Sequence, residues 1–284
     1  MAFAMATFAL EDMFVKAASS TLPVGEILIL FGFGGTIFFI VLTLKRNERI
    51  LHPKILSRPI LVRVICEVIG RLCFTLAITL TPLSSASAIL QATPLVVVMG
   101  AAIFFKEYVG WRRWLAILIG FIGVLMILRP GMEGFDAASL FAVLGTLGFA
   151  GRDLATRAAS SELSNMQLGI YGFFILIPTG LIMVPFTGGF VWPDAESSLM
   201  ILGAIAFGVI AYYSLTVAMR TGEVSVVTPF RYSRLVFALI IGIIVFSEQP
   251  DSLTLSGSLI IVFSGIYSLL RSRNRTIKQK LKYN

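Results

Sequence analysis

The chain has 284 residues, of which 57% are hydrophobic and 13% charged, and its mean hydropathy is +0.91. About a quarter of the residues in a soluble domain are charged, so this composition excludes an ordinary water-soluble fold and favours a membrane protein. The formal net charge is +8, but the basic residues follow the connections between apolar stretches, which argues against a nucleic-acid-binding protein.

Ten apolar stretches divide nearly the whole chain, each close to the roughly 20 residues that a helix needs to cross a bilayer. The predicted spans are residues 2–21, 24–44, 63–81, 84–105, 113–129, 138–158, 166–187, 197–219, 224–246 and 253–271. They do not alternate apolar and polar residues as barrel strands would. The sequence therefore predicts an all-α membrane protein. The connections are too short for a soluble catalytic domain.

An internal repeat relates the two halves of the chain. Residues 8–20, FALEDMFVKAASS, and residues 149–161, FAGRDLATRAASS, are identical at seven of thirteen positions, at an offset of 141 residues. The same offset pairs Phe105-Lys106-Glu107 with Phe246-Ser247-Glu248. Internal duplication in an apolar chain is typical of secondary transporters.

Each repeat unit contains five predicted spans. Because five is an odd number, the second unit must enter the membrane inverted relative to the first. We therefore predict ten transmembrane helices in two inverted five-helix repeats. The predicted organisation is a first repeat at residues 1–132, a second repeat at residues 137–272 and a basic cytoplasmic tail at residues 273–284.

Basic residues lie on one side of this predicted topology. The connections on the side of the amino terminus contain sixteen of them: Lys45, Arg46, Arg49, Lys54, Arg58, Arg63, Lys106, Arg112, Arg113, Arg220, Arg271, Arg273, Arg275, Lys278, Lys280 and Lys282. The opposite side has Arg129 and six acidic residues. The positive-inside rule then places both termini in the cytoplasm. The basic tail is also open to interpretation as a phospholipid or nucleic-acid patch.

The histidine and cysteine content argues against metal sites, His-dependent catalysis and disulfides. His52 is the sole histidine and lies in a basic connection, so we expect neither a metal site nor a His-dependent catalytic triad. Cys66 and Cys73 are seven residues apart on one predicted helix, about 10 Å along its axis, which is too far for a disulfide. No cofactor is expected.

Ionisable residues inside predicted spans mark functional pathways in membrane proteins. Here they all fall on spans 1, 3, 6 and 9: Glu11, Asp12, Lys16, Glu67, Arg71, Arg152, Asp153, Arg157, Arg231 and Arg234. Their charges sum to +2, which favours a substrate with a carboxylate or another anionic group. Arg231 and Arg234 are three residues apart and share one helix face.

A structural interpretation of the same charges stays open. Three i,i+4 pairs of opposite sign could neutralise one another on their own helices: Asp12 with Lys16, Glu67 with Arg71, and Asp153 with Arg157. Glu11 and Arg152 occupy equivalent places in the two repeats and could pair across the pseudo-axis. In this interpretation the arginines of span 9 would pair with Glu67 or Glu11.

Several motifs resemble a known family. They are the paired Phe-Lys-Glu and Phe-Ser-Glu turns, Gln91-Ala92-Thr93-Pro94, and GFIGVLMILRPG at the end of the first half. The chain resembles the ten-helix EamA-type proteins of the drug/metabolite transporter (DMT) superfamily. Pro229-Phe230-Arg231-Tyr232 and FSEQPDSLTLSGSLII resemble its bacterial branch that includes S-adenosylmethionine uptake carriers. The resemblance implies a central cavity lined by helices 1, 3, 4, 6, 8 and 9.

The expected function is secondary transport by alternating access in a bacterial cytoplasmic (inner) membrane, not catalysis. The substrate would be a small organic metabolite such as an amino acid, S-adenosylmethionine or riboflavin, with a proton or counter-substrate as coupling partner. A passive channel for small polar solutes and a membrane-embedded enzyme are the alternatives. The candidate substrate-binding residues are Glu11, Asp12, Lys16, Arg71, Gln91, Arg152, Asp153, Tyr212, Arg231, Tyr232 and Arg234. The sequence does not determine direction, coupling or oligomeric state.

Overall fold

The computed structural model describes residues 1–104, 106, 110–129, 136–158, 162–221 and 228–283. The protein is 83% helical, and no strand occurs in these ranges, which confirms the all-α prediction. The described ranges contain ten helical segments, numbered α1 to α10: Ala2–Ala18, Val24–Lys45, Arg58–Leu80, Leu83–Phe104, Trp111–Leu128, Ser139–Ala158, Asn165–Phe186, Ala195–Thr221, residues 228–246 and Ser252–Tyr283. A short 3-10 helix, Pro53–Leu56, precedes α3.

Breaks near prolines divide two of the helices in the described ranges. The fourth, α4, consists of Leu83–Leu90 and Thr93–Phe104, and Pro94 lies at the start of its second part. In α7, Asn165–Phe174 is followed by Leu176–Met183, which contains Pro178. Proline has no N–H to donate and its ring clashes with the preceding turn, so the hydrogen-bond ladder is interrupted at both sites. The ninth helix, α9, begins as the 3-10 helix Thr228–Tyr232 and continues as an α-helix.

Four helices within the described ranges are long and apolar enough to cross a membrane by length and composition. They are Val24–Lys45, Leu83–Phe104, Asn165–Phe186 and Ala195–Ala218. Two further helices, Trp114–Leu128 and Ser252–Tyr267, are apolar but shorter. The other segments, α1, α3, α6 and α9, contain most of the charged residues that lie inside the bundle, and Glu26 of α2 is also buried. The protein is therefore a multi-pass membrane protein.

The strongest helix contacts join the two halves of the chain. The third helix packs along α6 and the first along α8, while α2 packs on α7 and α5 on α10. At the α5 and α10 interface, Gly123 and Gly257 bring the two backbones together. A Cβ at Gly123 would lie 2.8 Å from the Gly257 carbonyl oxygen, and one at Gly257 would lie 2.7 Å from that of Gly123. The predicted close packing of small residues is thus confirmed for this pair.

Two helix boundaries differ from the predicted spans. The third helix begins at Arg58 rather than at residue 63, because Ser57 precedes it and Pro59 suits a first helical turn. Arg63, which the prediction counts among the inner connections, therefore lies within α3 and is buried. The last helix continues to Tyr283, beyond the predicted end at residue 271. Lysine, arginine and leucine are good helix formers, so its charged end stays helical.

We expect Gly123→Leu to destabilise the protein by about 1–3 kcal/mol, because the added side chain must push α5 away from α10. The midpoint of thermal unfolding of the purified protein measures the change. Leu125→Phe is the matched control, since Leu125 lies on the exposed face of the same helix, where added volume meets lipid. Equal midpoints for Gly123→Leu and the wild type would contradict the observed close approach.

Candidate functional site

A cavity lies near the centre of the bundle. Its volume is about 40 Å³, well below the roughly 300–1,000 Å³ of small-molecule sites, so the surrounding helices must move apart before an organic molecule fits. The lining side chains come from α1, α3, α4, α6, α8 and α9, the helices that the resemblance implies. They are Met5, Phe8, Arg71, Leu90, Gln91, Thr93, Pro94, Phe149, Arg152, Leu215, Arg231 and Arg234. Most of them lie in the half of the bundle in which α1 and α9 begin.

Two acidic residues of α1 lie behind the cavity wall and bind arginines that line it. Asp12 accepts two hydrogen bonds from Arg234, at 2.6 Å from Nη2 and 3.1 Å from Nε. Glu11 accepts a hydrogen bond from Nη1 of Arg71 on α3. Both carboxylates are fully buried. The first helix is therefore joined to α9 and to α3 by charge-assisted hydrogen bonds, which are the strongest kind in proteins.

A second group of ion pairs joins α6 to α9 and α3. Asp153 accepts two hydrogen bonds from the neighbouring Arg152, at 2.9 and 3.1 Å, and one from Arg231 at 2.7 Å. The other face of Arg152 donates to Glu67 of α3 at 3.3 Å. Two arginines thus share one carboxylate, Asp153, within the second half of the chain, and Arg152 links this group to the first half through Glu67.

Arg63 extends this network away from the cavity. Its guanidinium lies 3.6 Å from Glu67 Oε2, donates to Tyr212 and donates to Thr156 at 3.1 Å. The Tyr212 hydroxyl in turn donates to the Leu168 carbonyl at 3.0 Å. The prediction missed Arg63 because it assigned this residue to a connection. The Ser-Arg-Pro sequence at residues 57–59 is the helix-start signal that would have placed it on α3.

The predicted i,i+4 pairs are wrong for Asp12 and Glu67, because both carboxylates face a neighbouring helix. Asp12 pairs with Arg234 rather than with Lys16, and Glu67 pairs with Arg152 rather than with Arg71. The expected partner of Asp153, Arg157, has a side chain outside the described part of the structure. Spacing along one helix gives proximity, but it does not reveal which helix lies opposite.

The expected partners of the α9 arginines are also corrected. Arg231 pairs with Asp153 and Arg234 with Asp12, instead of with Glu67 or Glu11. Glu11 likewise binds Arg71, not its repeat-related counterpart Arg152.

Six of the eleven candidate binding residues do not line the cavity. Glu11, Asp12 and Asp153 hold arginines of its wall, and the other three make their contacts elsewhere. The ammonium group of Lys16 lies at the opposite end of the bundle, where it donates to the carbonyl oxygens of α3. Tyr212 bonds to Arg63, as described above. Tyr232 is buried, and its hydroxyl lies against Gly265 of α10, where any Cβ would overlap it. Gln91, Arg71, Arg152, Arg231 and Arg234 do line the cavity.

Aromatic rings also pack against the guanidinium groups of two of these arginines. The guanidinium carbon of Arg152 lies 4.8 Å from the ring centre of Phe149, and that of Arg234 lies 4.9 Å from Phe8. A planar guanidinium stacked on a ring keeps N–H donors free at its edge. The cavity therefore presents oriented cationic donors, with apolar rings beside them and the carboxylates behind.

The described side chains of the network are not electrically balanced. Five arginines, at positions 63, 71, 152, 231 and 234, face four carboxylates, at positions 11, 12, 67 and 153. This leaves one positive charge. The sequence count of +2 also includes Arg157, whose side chain lies outside the described part of the structure, whereas the exchange of Lys16 for Arg63 leaves the sum unchanged. Arg231 contacts Asp153 through Nη1 only among the described contacts, so its other donors are available to a ligand.

Comparison with known proteins identifies the family. The model of the EamA-like transporter family matches residues 1–129 and again residues 137–271. The chain belongs to the EamA-like transporter family. This places it in the DMT superfamily, whose members are transporters, and in the inner membrane as a multi-pass protein. The two matches leave almost none of the chain outside the family model.

Relatives with different printed functions are similar over most of the chain. The S-adenosylmethionine uptake transporter of Rickettsia felis is 26% identical over 84% of this chain and 77% of its own length. The riboflavin transporter of Vibrio cholerae is 30% identical over 72% and 68%, respectively. The pseudopaline exporter CntI of Pseudomonas aeruginosa is 29% identical over 92% and 91%.

A solved crystal structure shares the fold, with a TM-score of 0.62 over 95% of this chain and 98% of the other. Its sequence identity of 17% restricts this likeness to the fold.

We expect Arg234→Gln to destabilise the protein by about 3–5 kcal/mol, because it leaves Asp12 buried and unpaired. The double variant Asp12→Asn, Arg234→Gln should recover most of this loss, since it removes both charges. Thermal unfolding of the purified variants measures both effects. Arg129→Gln is the control, because the pair of Arg129 and Asp251 is partly exposed and worth at most about 1 kcal/mol. Additive losses in the double variant would contradict the pairing.

Proposed function

We propose that this protein is a secondary transporter that moves a small metabolite carrying a carboxylate across the inner membrane by alternating access. The observation that carries the proposal is the central cavity with four arginines in its described wall and their carboxylate partners behind it. A guanidinium binds a carboxylate through two parallel hydrogen bonds. The uncompensated positive charge of the network favours an anionic group beside Arg231.

The substrate classes best supported are amino acids and S-adenosylmethionine, and riboflavin-like compounds are the alternative without a carboxylate. The first two contain a carboxylate, and relatives are named for uptake of S-adenosylmethionine and transport of riboflavin. Met5, Phe8 and Phe149 would contact the apolar or aromatic part of such a molecule. Because one relative is named as an exporter, the direction of transport is not part of the proposal.

We propose that the two repeats are inverted, and the pattern of helix contacts supports this and the alternating-access part of the proposal. If each helix of the first repeat is equivalent to the helix five positions later, α1 corresponds to α6 and α3 to α8. The contact between α1 and α8 is then equivalent to the contact between α6 and α3, and both contacts are extensive. The contacts of α2 with α7 and of α5 with α10 map onto themselves. We propose that the repeats, residues 1–132 and 137–272, exchange conformations when the cavity changes the side to which it opens.

The proposal includes a proton as coupling partner. Glu11 Oε2 and Asp12 Oδ1 are both buried and have no hydrogen-bond partner among the described residues. Protonation would turn such an oxygen into an O–H group that can donate a hydrogen bond. This group would lie close to the arginines that are proposed to bind the substrate. Uptake into proteoliposomes with and without an imposed pH gradient tests this point, and equal rates would exclude proton coupling.

Arg231→Gln should raise the dissociation constant of the substrate about 10- to 150-fold, because a charge-assisted hydrogen bond is worth roughly 1.5–3 kcal/mol. A panel of amino acids, S-adenosylmethionine and flavins, scored by thermal stabilisation, identifies the ligand. Titration of that ligand against the wild type and the variant then gives the constants. Arg129→Gln, which changes a distant charge, should bind as the wild type does.

Counterflow of the same ligand in proteoliposomes separates a carrier from a passive channel. A carrier accumulates labelled substrate against unlabelled substrate trapped inside, and its uptake saturates. Unsaturable flux without counterflow would replace the proposal with a channel, and unchanged affinity in folded Arg231→Gln would remove α9 from the site.

Orientation follows from the basic residues. We propose that both termini are cytoplasmic, because the connections on their side contain most of the Lys and Arg residues. A reporter that is active only in the cytoplasm should be active when fused after Asn284 and inactive when inserted beside Asp194. The reverse pattern would overturn the orientation.

A further inference from the structure

A second polar site lies at the end of the bundle opposite the cavity and is built around Lys16. Its ammonium donates to the carbonyl oxygens of Thr81 at 2.7 Å and Ile78 at 3.0 Å, and lies 3.6 Å from Glu248 Oε1. The side chains of Lys16 and Glu248 are 16% and 10% exposed. Two of the three ammonium donors thus bind the end of α3, and the third faces a carboxylate from the other half of the chain.

The carboxylate of Glu248 also caps the N-terminus of α4. Its Oε1 accepts from the backbone N–H of Leu83 at 2.6 Å, and its Oε2 accepts from that of Ser84 at 3.0 Å. The first N–H groups of a helix have no partner within the helix and favour a negative charge. The backbone N–H of Glu248 donates to Gly242 of α9 at 2.9 Å, which fixes the carboxylate relative to α9.

The site therefore connects the end of α1, the turn between α3 and α4, and the end of α9. We propose that Lys16 and Glu248 form a latch that keeps this end of the transport path closed and separates when the path opens there. The proposal rests on the alternating-access function proposed above. Lys16 acts as a gating residue and does not bind the substrate.

The latch is linked to the cavity through α1 and α9. Asp12 and Lys16 are four residues apart, about 6 Å along the helix axis. Asp12 pairs with Arg234 within α9, and Lys16 pairs with Glu248 just after it. An anionic substrate that binds Arg234 competes with Asp12. Once the substrate has displaced Asp12 from Arg234, the pair of Lys16 and Glu248 is the one ion pair left between α1 and the segment of α9 with its following turn, among the described residues. Substrate binding therefore favours the opening of the latch.

A cysteine reporter tests the latch without any substrate. Ser87 is fully buried, its hydroxyl has no partner among the described residues, and it lies one helical turn from Ser84. Ser87→Cys is introduced together with Cys66→Ala and Cys73→Ala. A membrane-impermeant maleimide, applied from the side of Glu248, then labels the reporter only when this end opens.

Lys16→Gln and Glu248→Gln should each raise the labelling rate about tenfold or more, the population shift expected when a charge-assisted hydrogen bond is lost. The double variant should label no faster than the faster single variant, because both changes remove one interaction. Lys16→Arg, which keeps the charge, should label close to the parent. Arg129→Gln is the control at the same end of the bundle and should leave the rate unchanged.

A second cysteine reporter distinguishes opening of the latch from general unfolding of the protein. Thr179→Cys is also buried and lies in the half of α7 that leads to the same membrane face as Glu248, but α7 is not part of the latch. A rise at Ser87→Cys alone supports the latch, whereas equal rises at both reporters, unchanged rates in both single variants, or multiplied effects in the double variant would overturn it. Normal labelling behaviour with failed uptake of every ligand in the panel would overturn the substrate assignment and leave the latch standing.

Discussion

Pairing between arginines and carboxylates on different helices is the constraint on which this structure depends. A charge in the bilayer centre costs about 2.5–3.5 kcal/mol on insertion scales, and an unpaired one inside the bundle costs more than a paired one. The helices α1, α3, α6 and α9 therefore have to meet at the centre, where their charges reach one another. The apolar helices then surround them and face the lipid.

The same pairs also prepare the site. Each carboxylate holds a guanidinium from behind, and the aromatic rings restrict its orientation, so the cavity presents donors in fixed positions. The proposed binding of an anion there would need little reorientation of these side chains, although the helices must move apart to admit it. It does compete with the internal pairs, most directly at Arg234, and this competition links substrate binding to the contact between the two halves of the chain.

The site is asymmetric although the chain is repetitive. At the offset of 141 residues, Arg231 and Arg234 of α9 correspond to Leu90 and Thr93 of α4, and all four side chains line the cavity. Both repeat-related acids, Asp12 and Asp153, consequently pair with α9. The second half of the chain thus supplies three of the four arginines in the described cavity wall, and the first half supplies Arg71 together with polar and apolar contacts.

The sequence by itself determined the membrane class, the all-helical fold and the helices that carry most of the charge, because each of these follows from local composition. It also indicated Arg231 and Arg234 as central residues. Only the tertiary structure decided which acid meets which arginine, that Arg63 is buried in the network, and that Lys16 lies at the far end with Glu248. Pairing depends on which helices face each other, and residue spacing within one helix does not contain that information.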